Sequence, residues 1–229
     1  MIKKALIASL LSVFSVPCFS SFYLGLSVGP EGGLFKQTAH IAQIGTFNVT
    51  DRNHFAGTGV FGSIFGGYGY TFNRFYLAVE GNANLSTLEY DSVNNDYTHL
   101  QFTKTYFRIH ENEGASLLPG FFLAPNSLLY GRIAYANGRL KIVEGDPSIQ
   151  NVNTTRSGIR YGIGLRQAIK PRLSFMLDYS QTNYRHIKSL VSFPNILVTK
   201  YTKITPNSAQ LGIGLVYNFD GPARWVDEK

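Results

Sequence analysis

Apolar residues alternating with small or polar ones predict an all-β chain. The expected architecture is an eight-stranded antiparallel up-and-down transmembrane β-barrel with short periplasmic turns and four long extracellular loops. Three observations carry that expectation. First, Gln210–Phe219 places Leu211, Ile213, Leu215, Tyr217 and Phe219 on one strand face. Gly212, Gly214 and Asn218 fall on the other, with Val216 the exception. Second, nearly every strand repeats this division, which suits lipid outside and a polar interior; a soluble barrel would show charge outside. Third, short connections alternate with long polar ones, and a soluble barrel has no reason to sort them so.

The N-terminus adds a compartment. Met1-Ile-Lys-Lys4 is followed by an apolar run from Ala5 to Val16, broken by Ser9, Ser12 and Ser15. A basic start, a short apolar run and small residues before Ser21 read as a secretory signal over 1–20. The run is too short for a membrane-spanning helix. Lipidation at Cys18 is the rival reading, but Pro17 stands where a lipoprotein signal has a small residue. Cleavage after Ser20 removes the single cysteine, so no disulfide is expected. It lowers the formal charge from +7 to +5, since Lys3 and Lys4 leave and no acidic residue does. For an exported protein such a basic excess points to anionic lipid and lipopolysaccharide, with no nucleic acid. Residues 21–219 fit one all-β domain, and 220–229 read as a short periplasmic tail. Seventeen Phe, 14 Tyr and 23 Gly against one Trp are strand-and-turn residues.

Taken in order, Phe22–Gly29 forms the first strand, with Phe22, Leu24, Leu26 and Val28 on one face. From about Lys36 to Gly57 alternation dissolves into a long loop. Val60–Phe72 and Phe75–Leu85 flank a tight turn at Asn73-Arg74. Asp91 to about Glu113 is the second long loop, into which Leu100–Ile109 extends the strands. Gly114–Leu123 is a weaker strand, and Ala124-Pro-Asn-Ser127 turns the chain into Leu128–Tyr135. A third loop covers roughly Glu144 to Arg156. Ser157–Ile169, the turn Lys170-Pro-Arg172 and Leu173–Tyr179 precede a fourth loop from about His186 to Pro206. The closing strand returns both ends to the periplasm, with strands of about 9–11 residues.

Phe22-Tyr-Leu-Gly-Leu26, Phe65-Gly-Gly-Tyr-Gly-Tyr70, Pro119-Gly with Asn126-Ser-Leu-Leu-Tyr-Gly-Arg132, and the last strand appear in this order. In that order they resemble the small outer-membrane barrels of the OmpA/OmpX and opacity-protein type. The resemblance spans about 22 to 219 and implies the cell outer membrane of a Gram-negative bacterium. The last strand is similar to the signal read by the outer-membrane insertion machinery, with Gly214, Tyr217 and Phe219 in the glycine and aromatic places. The tail after Phe219 departs from a family in which that Phe commonly ends the chain. Ten residues are too few for a peptidoglycan-binding domain.

Alternation places Glu80, Arg132, Arg160, Arg166 and Asp178 on the inward face. Buried charges need partners, so a lumenal network is expected linking Glu80 and Asp178 to Arg132 and Arg166, with Arg160 nearer the outer mouth. A polar plug that fixes register is the plainer reading; a small ion gate is the functional one. Arg185, Lys188, Lys200 and Lys203 lie in a stretch without acidic residues between 183 and 207. They could contact lipopolysaccharide phosphates or an anionic host glycan, or be a solvated loop. Tyr184–Ser189 superficially resembles a lipid A deacylase His-x-Ser pattern. Lys188, however, occupies the nucleophile position, and Ser189 would face away in a strand. His40, His54, His99 and His110 show no metal-ligand spacing. The expected protein is therefore a monomeric, non-enzymatic surface barrel without cofactor. An adhesin-like role toward host surface molecules comes first, a small mostly closed channel second and a lipid-modifying enzyme last.

Overall fold

The computed structural model describes residues 19–43, 45–96, 101–143, 152–193 and 198–220. The expected leader and tail fall outside them, apart from Phe19, Ser20 and Asp220. The strands are β1 (Phe19–Gln43), β2 (Phe47–Phe72), β3 (Phe75–Asp96), β4 (Gln101–Ala124), β5 (Ser127–Val143), β6 (Val152–Lys170), β7 (Leu173–Tyr184), β8 (Ile187–Phe193) and β9 (Val198–Asn218). Each pairs antiparallel with its neighbour, and β1 pairs with β9 from Tyr23↔Asn218 to Gln43↔Val198. β7 and β8 lie end to end along β9, so the closed wall has eight strand positions. Closure pairs the backbone groups that an open sheet would leave bare in hydrocarbon.

One end carries three two-residue turns, between Phe72 and Phe75, Ala124 and Ser127, and Lys170 and Leu173. Asn73 takes the left-handed conformation there, with φ 54°, which Asn tolerates in a tight hairpin. The seam ends on a latch. Phe219 N donates to Phe22 O at 3.0 Å. Phe22 N donates to Asp220 Oδ2 at 3.0 Å, and the Phe22 and Phe219 rings lie 5.5 Å apart.

The strands are longer than expected, and most of the expected loops are strand. β1 runs to Gln43 and β2 starts at Phe47, within the segment read as a loop over 36–57. β3 and β4 reach Asp96 and Gln101; β8 and β9 occupy most of 186–206. The reason is a change of solvent along the strand. Near the tight turns Leu26, Val28, Ile64, Val79, Leu85, Ile133 and Ile213 point outward. Farther from them outward positions turn polar, as at Lys36, Thr87, Arg139 and Lys203. Phe35, Leu88, Phe107, Leu140 and Ile204 meanwhile point inward and are buried. The apolar face swaps sides where the wall leaves lipid, and the alternation is lost when read from one face. A strand of 25 residues at about 3.3 Å per residue and a tilt of roughly 40° rises on the order of 60 Å, well beyond an apolar band of about 25 Å. The barrel therefore stands out from the membrane as a folded wall.

Val79 sits mid-band on the lipid side, and Ala56 faces outward above the band. Val79→Arg should cost about 2–4 kcal/mol of folding free energy in vesicles, whereas Ala56→Arg should stay within about 0.5 kcal/mol. Denaturant titration read by gel mobility checks this; equal costs would refute the swap of faces.

Candidate functional site

The lumen is filled in layers. Nearest the tight turns, Tyr23, Phe65, Tyr76, Leu118, Phe122, Leu128, Tyr130, Met176 and Val216 form an apolar floor. Above it Arg132 bridges two carboxylates, with Nη1 to Glu80 Oε1 at 2.7 Å and Nη2 to Asp178 Oδ2 at 3.1 Å. Arg166 Nη2 reaches Glu80 Oε2 at 2.8 Å, and its guanidinium stacks on Tyr23 at 4.4 Å and Tyr130 at 5.0 Å. Tyr23 Oη donates to Glu80 at 2.9 Å and Tyr130 Oη to Asp178 at 2.7 Å. The two hydroxyls thus add hydrogen bonds to the ion pairs, as buried ions require, although Arg166 Nε is buried without a hydrogen-bond partner among the described residues.

Arg160 makes a separate polar layer. Its Nε donates to Thr182 Oγ1 at 3.0 Å. The Asn84 carbonyl, in the amide orientation that satisfies both its ends, accepts from the two terminal nitrogens at 3.1 and 3.2 Å. Glu31 lies in the same interior, accepting from Ser86 and from Gln210 Nε2 at 3.0 Å. Glu31 was missed by the sequence reading, because it stands where β1 leaves the lipid-facing pattern; continuing the parity of Tyr23, Gly25 and Ser27 finds it. A cavity of about 30 Å³ lies between Arg132, Arg160 and Asp178, the volume share of about one water. Above these layers Phe35, Leu88, Phe107, Ile109, Leu140, Ile142, Tyr184, Ile187 and Ile204 form a second apolar plug. Phe107 stacks on Phe35 at 5.2 Å and on Phe55 at 5.5 Å.

Outside, the cations divide by face. Between Asn183↔Asn207 and Ile187↔Ile204 the β7–β8 side has three residues against two on β9. This bulge, opposite Pro206, leaves both Arg185 and His186 exposed. Lys188 stands directly across from Lys203, which pairs on its other side with Thr38, itself opposite Arg52. Lys36 projects beside this row. Lys200, three residues from Lys203, falls on the opposite face of β9 and is half-buried. By strand parity the described outward positions of β1, β2, β8 and β9 above the band carry no carboxylate. Asp51 of β2 is exposed beside Arg52 but has the inward parity of Asn53, which donates to it at 2.8 Å. Desolvation first, and then Lys203, Lys188 and Arg156, hold the His186 imidazole below its ordinary pKa. Arg156 on β6 thus also acts on His186, but it shares the inward parity of Gly158 and Arg160 and its Nε is buried. Lys36 and Arg52 do belong to the outer face, and escaped a reading confined to one stretch of chain.

Gly214 faces inward against β1, where an added Cβ would stand 2.4 Å from Leu26 O. Close approach at the seam therefore requires glycine. Tyr217 and Phe219 line an apolar groove of about 600 Å³ with Leu24 and Phe175. Among the described residues no cluster of His, Cys, Asp and Glu is arranged to hold a metal ion, and His99 lies outside them.

The family model described as outer membrane protein beta-barrel domain matches residues 6–219. Among solved structures the chain is similar to the outer membrane protein OprG from Pseudomonas aeruginosa, at 10% identity and a TM-score of 0.50, covering 87% of this chain and 96% of that one. It is also similar to Ail, the attachment invasion locus protein of Yersinia pestis, at 16% identity and a TM-score of 0.37, covering 83% and 99%. A third is the outer membrane protease OmpT from Escherichia coli, at 10% identity and a TM-score of 0.45, covering 87% and 97%. No curated protein matches the chain significantly by sequence. These likenesses concern the fold.

Glu80→Ala leaves two buried guanidiniums without their shared carboxylate and should cost about 3–5 kcal/mol. The temperature at which the folded gel band disappears should fall accordingly. An unchanged temperature would show that the lumen re-pairs or hydrates these charges freely.

Proposed function

The chain belongs to the outer-membrane β-barrel family, and from that premise we propose a surface-exposed, non-enzymatic barrel whose extracellular wall binds anionic polymers in an adhesin-like role. One observation carries the reading: Lys188 and Lys203 face each other directly across a strand pair, both exposed. Like charges in that position destabilise a sheet by roughly 0.2–1 kcal/mol. Arg52, Lys36 and Arg185 extend the same sign around the pair, and the carboxylate of Asp51, exposed on β2, has the inward parity of Asn53 and Phe55. A polymer carrying sulfate, phosphate or carboxylate groups relieves that repulsion at several points together.

The two lumenal plugs support placing function outside. An ion path would have to cross the apolar floor, the ion-paired layer and the aromatic cap in turn. The charged groups acting on His186 are Lys203, Lys188 and Arg156, all cationic, so among the described residues no carboxylate orients its ring as a general base. That supports a non-enzymatic reading.

Full-length protein in vesicles should bind a sulfated polysaccharide such as heparin. Binding should weaken as added salt shortens the screening length from about 8 Å at 0.15 M to about 3 Å at 1 M. Lys188→Ala with Lys203→Ala should reduce affinity at least tenfold, while Lys188→Ala alone leaves the fold equally or slightly more stable. A gain in stability with a loss of binding distinguishes a binding face from a structural one. Unchanged affinity, or single-channel conductance abolished by Arg132→Ala, would favour the channel instead. The His186 pKa is lowered from 6.5, so the ring is neutral at pH 7 and gains its proton on acidification below that value. Heparin binding should tighten over that interval, and His186→Ala should flatten the change.

A further inference from the structure

A groove of about 1100 Å³ runs across the outside of β1–β6. It crosses the line where the wall leaves lipid. Gly62, Leu85, Glu111, Arg139 and Thr155 stand directly opposite one another in five successive strands along it. The β2 and β3 end is apolar, with Ile64, Ala83 and Leu85 facing lipid; the β5 and β6 end is polar. Strand tilt makes one row perpendicular to the strands begin in the membrane and finish above it. The floor at the apolar end is low because Gly62 has no side chain. A Cβ added there would meet nothing within 4 Å, so neither a turn nor close packing demands glycine at this position.

The polar end opens into a second hollow of about 420 Å³. A bulge in β4 builds it: Ile109 and Glu111 pair with the consecutive Leu140 and Arg139 of β5, which leaves His110 as the extra residue, opposite Ser86 and Thr87 of β3. His110 and Glu111 consequently both avoid the lumen. Arg139 and Lys141 flank them from β5. Arg139 Nε donates to Asn153 Oδ1 at 3.4 Å, and its Nη1 lies 3.7 Å from Glu111. These are loose contacts that leave the guanidinium half-exposed and able to turn. Desolvation, then Arg108 and Lys141, lower the His110 pKa against the opposing pull of Glu111 and Glu89. The local field at the ring is therefore net positive despite the two carboxylates.

An apolar trough that ends at the membrane surface in Arg139 and Lys141, with Glu111 and Glu113 beside them, fits an amphiphile whose phosphate meets the two cations. The side-chain amides and carboxylates beside those cations, Asn137, Asn153 and Glu111, suit hydroxyl groups more than a simple glycerol headgroup. We propose that this groove binds one molecule of an acylated, phosphorylated sugar, a glycolipid of the outer leaflet. An acyl chain lies over Gly62 and Ala83, and a phosphate sits between Arg139 and Lys141. The site shares no residue with the cationic face on β1, β2, β8 and β9.

The test uses full-length protein in phosphatidylcholine nanodiscs doped with lipid A, with retained lipid counted by mass spectrometry during stepwise delipidation. Wild type should keep one lipid A per chain, and phosphatidylglycerol in tenfold excess should not displace it. Gly62→Trp fills the trough without touching the wall, and Arg139→Ala with Lys141→Ala removes the phosphate donors. Each should lower retention at least tenfold while leaving gel mobility and heparin binding as in wild type. Retention by Gly62→Trp equal to wild type would overturn the proposal, as would displacement by phosphatidylglycerol. Loss of lipid A on replacing Lys188 and Lys203 instead would also overturn it, moving the lipid to the other face.

Discussion

Closure of the β1–β9 seam is the constraint on which the rest depends. In hydrocarbon an unpaired N–H or C=O has no water to turn to, so the wall must be a ring. At eight strand positions the ring is too narrow for anything but side chains. Most inward residues in the membrane-spanning part are then buried, and an inward charge there stands only if its partners stand with it. Glu80 receives Arg132, Arg166 and the Tyr23 hydroxyl, while Asp178 shares Arg132 with the Tyr130 hydroxyl. The seam and the network meet on β1: Gly214 lets β9 approach β1, and Gly67, which stands between Tyr23 and Glu80 across β2, leaves the room through which the Tyr23 hydroxyl reaches Glu80.

Much of this was legible because alternation is geometric. Placing Glu80, Arg132, Arg160, Arg166 and Asp178 inward requires nothing beyond parity within one strand. What parity could not supply was the reversal of its meaning above the membrane. Phe35 and Phe107 are apolar for the opposite reason from Leu26 and Leu117: water, not lipid, lies behind the wall at their height. A reader who follows the greasy face loses the strand at Lys36 and recovers it only at Val60. Parity also fails at a bulge. Arg185 and His186 are neighbours on the same side of the wall, as are His110 and Glu111, and no spacing in the sequence announces the extra residue.

Those two bulges sit on different sides of the barrel, and each adjoins a surface with chemistry to offer. The coincidence has a mechanical basis. A regular strand gives every second side chain to the outside, which spreads charges about 7 Å apart along it. A bulge puts two consecutive side chains outside and bends the strand, concentrating polar groups and opening a hollow in one step. The lumen, sealed at both ends, gains nothing from such a device. The outer wall is where a bulge brings groups to something they could meet.

The Lys188–Lys203 pair argues most directly from energy to role. Elsewhere on the wall, opposed charges of unlike sign are available and used, as in Arg108 with Glu89 and Arg139 with Glu111. Those pairs lie on the β3–β5 side, where carboxylates accompany the cations. On β1, β2, β8 and β9 the described outward positions above the band hold lysine and arginine without them. A wall selected for stability alone would place a carboxylate at Thr38, opposite both Lys203 and Arg52, and gain attraction on each side. A threonine there leaves the positive potential uncancelled, and a barrel inserted among anionic lipids and glycans meets the countercharge from outside itself.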